Sequence, residues 1–143
     1  MKTEVNGGVL KVFFDRSVST ANKIKLTLAA GMIDSLRVAG CVNGAVSGVS
    51  NQLLTVDLSG VGNLKIDGAT DALKFTMSGA GEMEAEKLAV RRAVVDLSGT
   101  GHAAITATEA LNASISGVGQ VDYYGNPGKV TESISGLGRL KKH

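Results

Sequence analysis

The sequence Leu97-Ser98-Gly99-Thr100-Gly101 contains the phrase Ser-Gly-x-Gly, which recurs along a chain of 143 residues. The phrase begins at Ser59, Ser78, Ser98, Ser116 and Ser135, so successive serines lie 19, 20, 18 and 19 residues apart. A period this constant is typical of stacked supersecondary units. The repeat therefore predicts an array of similar coils.

Apolar and polar residues alternate on both sides of the phrase. With Ala39 as a degenerate first member of the serine column, the preceding position is apolar in every unit: Val38, Leu58, Met77, Leu97, Ile115 and Ile134. The fifth position beyond the serine column holds Gly44, Leu64, Met83, Ala103, Val121 and Leu140, whereas the fourth is polar: Asn43, Asn63, Glu82, His102, Gln120 and Arg139. Such alternation is typical of half-buried strands. We expect each unit to consist of a strand, a glycine corner, a second strand and a return loop.

The period and composition select one fold class. Helical repeats would show a period of about 3.6 residues and few glycines, and a propeller blade needs about 40 residues and four strands. Units of about 19 residues with two short strands fit neither. We therefore predict an all-β fold, a parallel β-helix with coils of about 19 residues.

The recurring serines and glycines are predicted to be structural corners. Glycine allows a coil to turn in two or three residues without colliding with its neighbours, and serine hydroxyls can bond to nearby backbone. The corner residues are Ser59, Gly60, Gly62, Ser78, Gly79, Gly81, Ser98, Gly99, Gly101, Ser116, Gly117, Gly119, Ser135, Gly136 and Gly138.

The length suits a single domain, residues 1–143. Residues 1–30 lie outside the clear repeat, and we expect them to form strands at 8–14 and 24–28 that cap one end of the stack. Residues 31–143 are expected to form the repeated coils.

Composition excludes several classes of function. The net charge of +2 is too small to indicate a nucleic-acid-binding surface. The basic run Arg139, Lys141 and Lys142 is expected to be a solvated tail. Two histidines and one cysteine cannot complete a structural zinc site, and Cys41 is expected in the core. We therefore predict neither a bound metal nor nucleic-acid binding.

No apolar run reaches the roughly 20 residues that a membrane span needs, so we predict no membrane span in this chain. No charged region followed by an apolar segment follows Met1 either. Two locations are therefore open: the cytosol, or the cell exterior after removal of a signal segment.

The repeat also argues against catalytic and cofactor sites. A dinucleotide cradle needs a helix after its glycines, whereas a second strand follows here, so no cofactor is expected. Asp57 and Asp96 share an outward column, and with Lys74 they form the least implausible catalytic cluster. Open strand positions favour solvated side chains, and His102 is interpreted as an exposed strand residue. We therefore predict no catalytic residues.

The phrases Leu58-Ser59-Gly60-Val61-Gly62 and Ile115-Ser116-Gly117-Val118-Gly119-Gln120-Val121-Asp122-Tyr123-Tyr124-Gly125-Asn126-Pro127 carry a family resemblance. The chain resembles the auto-transporter adhesin head domain, or GIN domain, a family of unknown function common in Bacteroidetes. The resemblance covers about residues 2 to 141. It implies a right-handed parallel β-helix that is exported and held at the cell envelope, in the periplasm, at the outer membrane or on the surface. It brings no catalytic residues with it.

The function expected on this basis is that of a non-enzymatic, exported adhesin-like domain. Its polar ladder surface would bind a protein or a glycan at the cell surface. Two alternatives stay open: a polysaccharide lyase or hydrolase, since β-helices host such chemistry, and a purely structural envelope module.

Overall fold

The computed structural model of the chain describes residues 2–6, 9–13, 25–29, 34–41 and 43–143. Within these ranges the chain forms β-strands and no helix. The strands are β1 (Lys2–Asn6), β2 (Val9–Phe13), β3 (Lys25–Ala29), β4 (Ser35–Val38), β5 (Asn43–Leu58), β6 (Val61–Met77), β7 (Ala80–Leu97), β8 (Thr100–Ile115), β9 (Val118–Tyr124), β10 (Lys129–Ile134) and β11 (Leu137–Lys142).

The strands stack in parallel, one coil on the next. Leu58 of β5 pairs with Met77 of β6, Met77 with Leu97 of β7, and Leu97 with Ile115 of β8. Each step along this column is one repeat of the sequence, so the period of about 19 residues is the length of one coil. The predicted all-β parallel β-helix with coils of about 19 residues is thereby confirmed, and it has about six turns.

The N-terminal strands expected at 8–14 and 24–28 are present as β2 and β3. β2 pairs in parallel with β4, and β3 in parallel with β5, so both strands extend the ladder of coils. Pairing needs only backbone N–H and C=O groups, which explains why strands without the Ser-Gly-x-Gly phrase can join the stack. Among the described strands, β1 alone pairs in antiparallel fashion, with β2. The sequence also predicts a surface loop at 15–23 and a turn at Asn6-Gly7, but the loop and Gly7 lie outside the described residues.

The expected return loops are wrong for the central coils. β5 to β8 are 16 to 18 residues long and run from corner to corner. The pairing register shifts instead within the strands, between Val46 and Val49, between Lys65 and Gly68, and between Ala85 and Ala89. Bulges of this kind bend a strand while it stays in the ladder, so the coil turns without a loop.

The inward columns form the core. Leu58, Met77, Leu97 and Ile115 are at most 1% exposed, as predicted. The prediction for Ile134 is wrong, because this side chain is 40% exposed. Ile134 lies on β10, which pairs with β8 but carries no further coil on its other side among the described strands.

Two further sequence predictions are corrected. Cys41 is exposed, not buried, because it pairs with Val61 and occupies the same outward position just beyond its corner. Arg139, Lys141 and Lys142 do not form a tail: they lie in β11, which pairs in parallel with β9.

The contrast between Leu97 and Ile134 gives a test of the coil packing. Leu97→Ala should lower the free energy of unfolding by about 2–5 kcal/mol, because it leaves a cavity in the buried column. Ile134→Ala, in the same column but on the uncovered last coil, should cost less than about 1 kcal/mol. Urea denaturation of both variants measures the difference, and equal losses would contradict the packing described here.

Candidate functional site

The corner residues lie where neighbouring coils approach most closely. A Cβ atom added at Gly79 would overlap the carbonyl oxygen of Gly60, and one added at Gly99 would overlap that of Gly79. The same overlap recurs at Gly60, Gly117 and Gly136. None of these five glycines has a positive φ, so the close approach of the neighbouring backbone accounts for glycine here.

The second corner glycine and the corner serine also lie against backbone carbonyl oxygens of the preceding coil. A Cβ at Gly101 would overlap the carbonyl oxygen of Gly81. The hydroxyl of Ser98 donates a hydrogen bond to the carbonyl oxygen of Met77 (3.2 Å), and Ser59 donates to that of Val38 (3.3 Å). These contacts join one coil to the one before it, and they leave the Ser98 hydroxyl engaged with backbone.

A network centred on His102 crosses the outer face of three coils. Nδ1 of His102 lies 3.2 Å from Oε1 of Glu82 on β7, and Nε2 lies 2.5 Å from Oδ2 of Asp122 on β9. Gln120 donates from Nε2 to Oδ1 of Asp122 at 2.6 Å. The pairing register explains part of this arrangement, since Glu82, His102 and Gln120 are successive partners across the ladder.

His143 continues the network at the end of β11. Its Nε2 lies 3.3 Å from Oδ1 of Asp122, and its ring stacks on that of Tyr124 with centroids 4.9 Å apart. Its backbone N–H donates to the carbonyl oxygen of Tyr123. Asp122, only 6% exposed, thus contacts two histidines and one amide.

The surroundings shift the pKa of both central groups. Burial disfavours the charged form of His102, but the hydrogen bonds to Asp122 and Glu82 outweigh it and raise its pKa above 6.5. Burial opposes ionisation of Asp122, yet its bonds to Gln120, His102 and His143 lower its pKa below 3.8. His102 protonated on both nitrogens can donate to both carboxylates.

This geometry leaves His102 without a free nitrogen to accept a proton from a substrate. His102 does lie on a strand, β8, and its side chain is 35% exposed; the sequence interpretation did not include the carboxylates of two neighbouring coils, which lie within hydrogen-bond distance of both ring nitrogens. Glu82, His102 and Gln120 occupy one outward column of the repeat. Alignment of the repeats could therefore have indicated the contact between His102 and Glu82. The part played by Asp122 was missed, because Asp122 lies in the adjacent outward column and reaches His102 diagonally.

A shallow groove crosses the coils where the strands bend. Its volume is about 340 Å³. β5 to β8 line it with Ser50, Asn51, Ala69, Thr70, Asp71, Ala89, Val90, Arg91 and Thr108. The groove follows the stacking direction, because its lining residues come from four successive coils at similar positions.

Charged side chains fix one rim of the groove. Arg91 donates from Nε (2.7 Å) and from an Nη atom (2.5 Å) to Oε1 of Glu109, and its other Nη lies 3.7 Å from Asp71. The Thr70 hydroxyl donates to the carbonyl oxygen of Ala72, and that of Thr108 to Val90. Arg91 is thereby held between carboxylates of two neighbouring coils.

The predicted aspartate cluster lies elsewhere. Asp57 pairs with Thr76, and Thr76 with Asp96, so one residue separates the two carboxylates along the ladder. Lys74 is two positions before Thr76 and is exposed. Neither the groove nor a second hollow of about 160 Å³ beside the Lys65–Glu84 ion pair includes any of these three residues.

Two features are absent from the described ranges. These ranges contain no helix long and apolar enough to cross a membrane. They also contain no group of three or more histidine, cysteine or acidic side chains placed to hold a metal ion.

The fold defines the class as a parallel β-helical solenoid with stacked glycine corners. The chain belongs to the family described as "Putative auto-transporter adhesin, head GIN domain", whose model matches residues 1–127. The resemblance predicted from the corner phrases and Tyr123-Tyr124-Gly125-Asn126-Pro127 is thus confirmed. The match ends before β10 and β11.

A solved structure shows the same fold. The chain is similar to the crystal structure of a "putative adhesin" from Bacteroides fragilis NCTC 9343, with a TM-score of 0.80 and 22% sequence identity. The similarity covers 99% of this chain and 76% of that one. No curated protein gives a significant match.

The two pKa shifts act on stability in opposite pH ranges. Because the His102 pKa is raised in the folded state, its contribution is complete below about pH 6.5 and is lost as pH rises through the raised value. Because the Asp122 pKa is lowered, its contribution is present above about pH 3.8 and is lost as pH falls through the lowered value. The network should therefore stabilise the fold most in mildly acidic solution.

Asp122→Asn should lower the pKa of His102, since it removes a negative partner 2.5 Å from Nε2. NMR titration of the imidazole measures this pKa directly. Glu84→Gln is the matched control: it removes a carboxylate from β7 that pairs with Lys65, and it should leave the His102 pKa as in the parent. An unchanged pKa in Asp122→Asn would contradict the network.

Proposed function

We propose that this chain is an exported, non-enzymatic adhesin-like module of the cell envelope, and that its groove binds a glycan. The observation that carries the proposal is the groove, which runs across four coils along the stacking direction. Export and an envelope location rest on the family's description as an auto-transporter adhesin.

The lining of the groove suits sugar recognition. Ser50 brings an exposed hydroxyl group, Thr108 brings a hydroxyl oxygen that can accept while its proton bonds to Val90, and the Asp71–Arg91 pair stands at the rim, so donors and acceptors converge on a small hollow. The methyl groups of Ala69 and Ala89 supply apolar patches for the C–H face of a sugar ring. Coils repeat at about 4.8 Å, close to the length of a pyranose unit, so successive coils could meet successive sugars.

The size of the groove favours a glycan over a folded protein partner. Its volume of about 340 Å³ falls in the range of small-molecule sites, roughly 300–1,000 Å³. A stable protein interface buries about 800 Å² on each partner, which a hollow of this size does not offer by itself. One to two sugar units would fill it.

A non-enzymatic role is supported by the state of the titratable groups. The two ring nitrogens of His102 lie within hydrogen-bond distance of the carboxylates of Glu82 and Asp122, so His102 is not placed to act as a general base. Asp57 and Asp96 occupy an outward column and line neither the groove nor the second hollow. Binding without turnover is the function that fits both observations.

Ala89→Trp tests this proposal by filling the groove from an exposed position. On a glycan array, binding by the parent should fall by about tenfold or more in the variant, because the indole would occupy the sugar's place. Val94→Trp is the matched control, since Val94 is also an exposed residue of β7 but does not line the groove.

Three results would contradict the proposal. The first is equal binding by Ala89→Trp and the parent. The second is no retained glycan at all on the array. The third is cleavage of a bound glycan by the parent and its loss in Asp57→Asn or Asp96→Asn. That result would favour a carbohydrate-active enzyme.

A further inference from the structure

The last coil concentrates positive charge. Residues 128–143 carry four basic residues and one acidic residue, a net charge of +3 with histidine neutral. Residues 34–127 carry six basic and ten acidic residues, a net charge of −4. Arg139, Lys141 and Lys142 all lie on β11, so the charge sits on an ordered strand at one end of the solenoid.

The same coil exposes a strand edge. Among the described strands, β10 pairs only with β8, and β11 only with β9. Each strand therefore presents a row of N–H and C=O groups without a strand partner on its outer side. Such an edge is a template on which an extended segment can add as a further strand.

Apolar side chains accompany this edge. Val130 and Ile134 are 41% and 40% exposed, although they occupy inward columns that are buried in the preceding coils. Leu137, on the outer face at the start of β11, is 83% exposed. Leu140, an inward residue of β11, packs against the core but is only partly buried, so a strand added to β11 could cover it while pairing with the backbone edge.

We propose that the edge of β11 binds an extended acidic peptide segment of a partner protein by strand addition. The carboxylates of the segment would pair with Arg139 and Lys141, which share the outward face of β11, and its apolar side chains would lie on the opposite face and cover Leu140. Glu132, in the inward column of β10, disfavours acidic side chains there and directs them to β11. This proposal is independent of glycan binding in the groove.

Charge argues against a second copy of the chain as the occupant. The described strands at the opposite end of the solenoid, β1 to β3, carry three basic residues and one acidic residue, a net charge of +2. Stacking two copies end to end would therefore bring positive charge against positive charge in every arrangement of the ends. An acidic partner is attracted where a copy is repelled.

The strand edge argues for a peptide over a lipid surface or an acidic polysaccharide. All three could neutralise the basic side chains of β11. A peptide strand alone supplies alternating C=O and N–H groups that match the free edge. The peptide is therefore the occupant that uses the charge, the apolar side chains and the backbone together.

The probe is a fluorescent peptide of alternating valine and glutamate, about six residues long to match β11. Fluorescence anisotropy should detect its binding to the parent, and amide hydrogen exchange at residues 137–142 should slow on binding. Arg139→Glu/Lys141→Glu/Lys142→Glu should weaken binding by about tenfold or more. If this variant unfolds, the corresponding glutamine variant should show a smaller loss in the same direction.

Arg37→Glu/Lys74→Glu/Lys87→Glu is the matched control, because it makes the same change in net charge at exposed sites away from β11. Its affinity should stay close to that of the parent. An equal loss in the control, no peptide binding, or unchanged exchange at residues 137–142 would overturn the proposal. So would tighter binding of phosphatidylglycerol vesicles or polygalacturonate than of the peptide.

Discussion

At each corner, the backbone of one coil lies so close to the next that a carbonyl oxygen occupies the place of a Cβ atom. This approach fixes the register of the stack, because a glycine must face every such oxygen. A slip of one residue would place a side chain against the backbone and turn the inward columns outward. The buried columns through Leu58, Met77 and Leu97 depend on the register that the corners set.

The fixed register also produces the functional surfaces. Outward residues of successive coils become neighbours, so side chains about 20 positions apart in sequence meet on one face. Glu82 and His102 meet in this way, as do Arg91 and Glu109 beside the groove. Surface chemistry can therefore change from coil to coil without disturbing the core, which suits a family named for adhesion.

The sequence predicted what the repeat encodes. The parallel stack and the buried columns follow from the period and the alternation, and both are present. Features that the repeat does not encode were missed. The inward position of Ile134 carries no sign that no described strand pairs on the outer side of β10, and the continuous β5 to β8 depend on bulges that leave the period unchanged. The Asp122–His102 contact is diagonal, so comparison within one column does not reveal it.

The free energy of unfolding of Gly79→Ala tests the corner constraint most directly, with Gly128→Ala as its control. A Cβ at Gly79 would overlap the Gly60 carbonyl oxygen, so we expect a loss of about 1–3 kcal/mol or more. A Cβ at Gly128 would lie 3.7 Å from the Glu109 carbonyl oxygen, an ordinary contact, so that variant should match the parent or be slightly more stable. A loss below about 0.5 kcal/mol in Gly79→Ala would contradict the account, because the coils would then not be held in register by backbone contact at the corners.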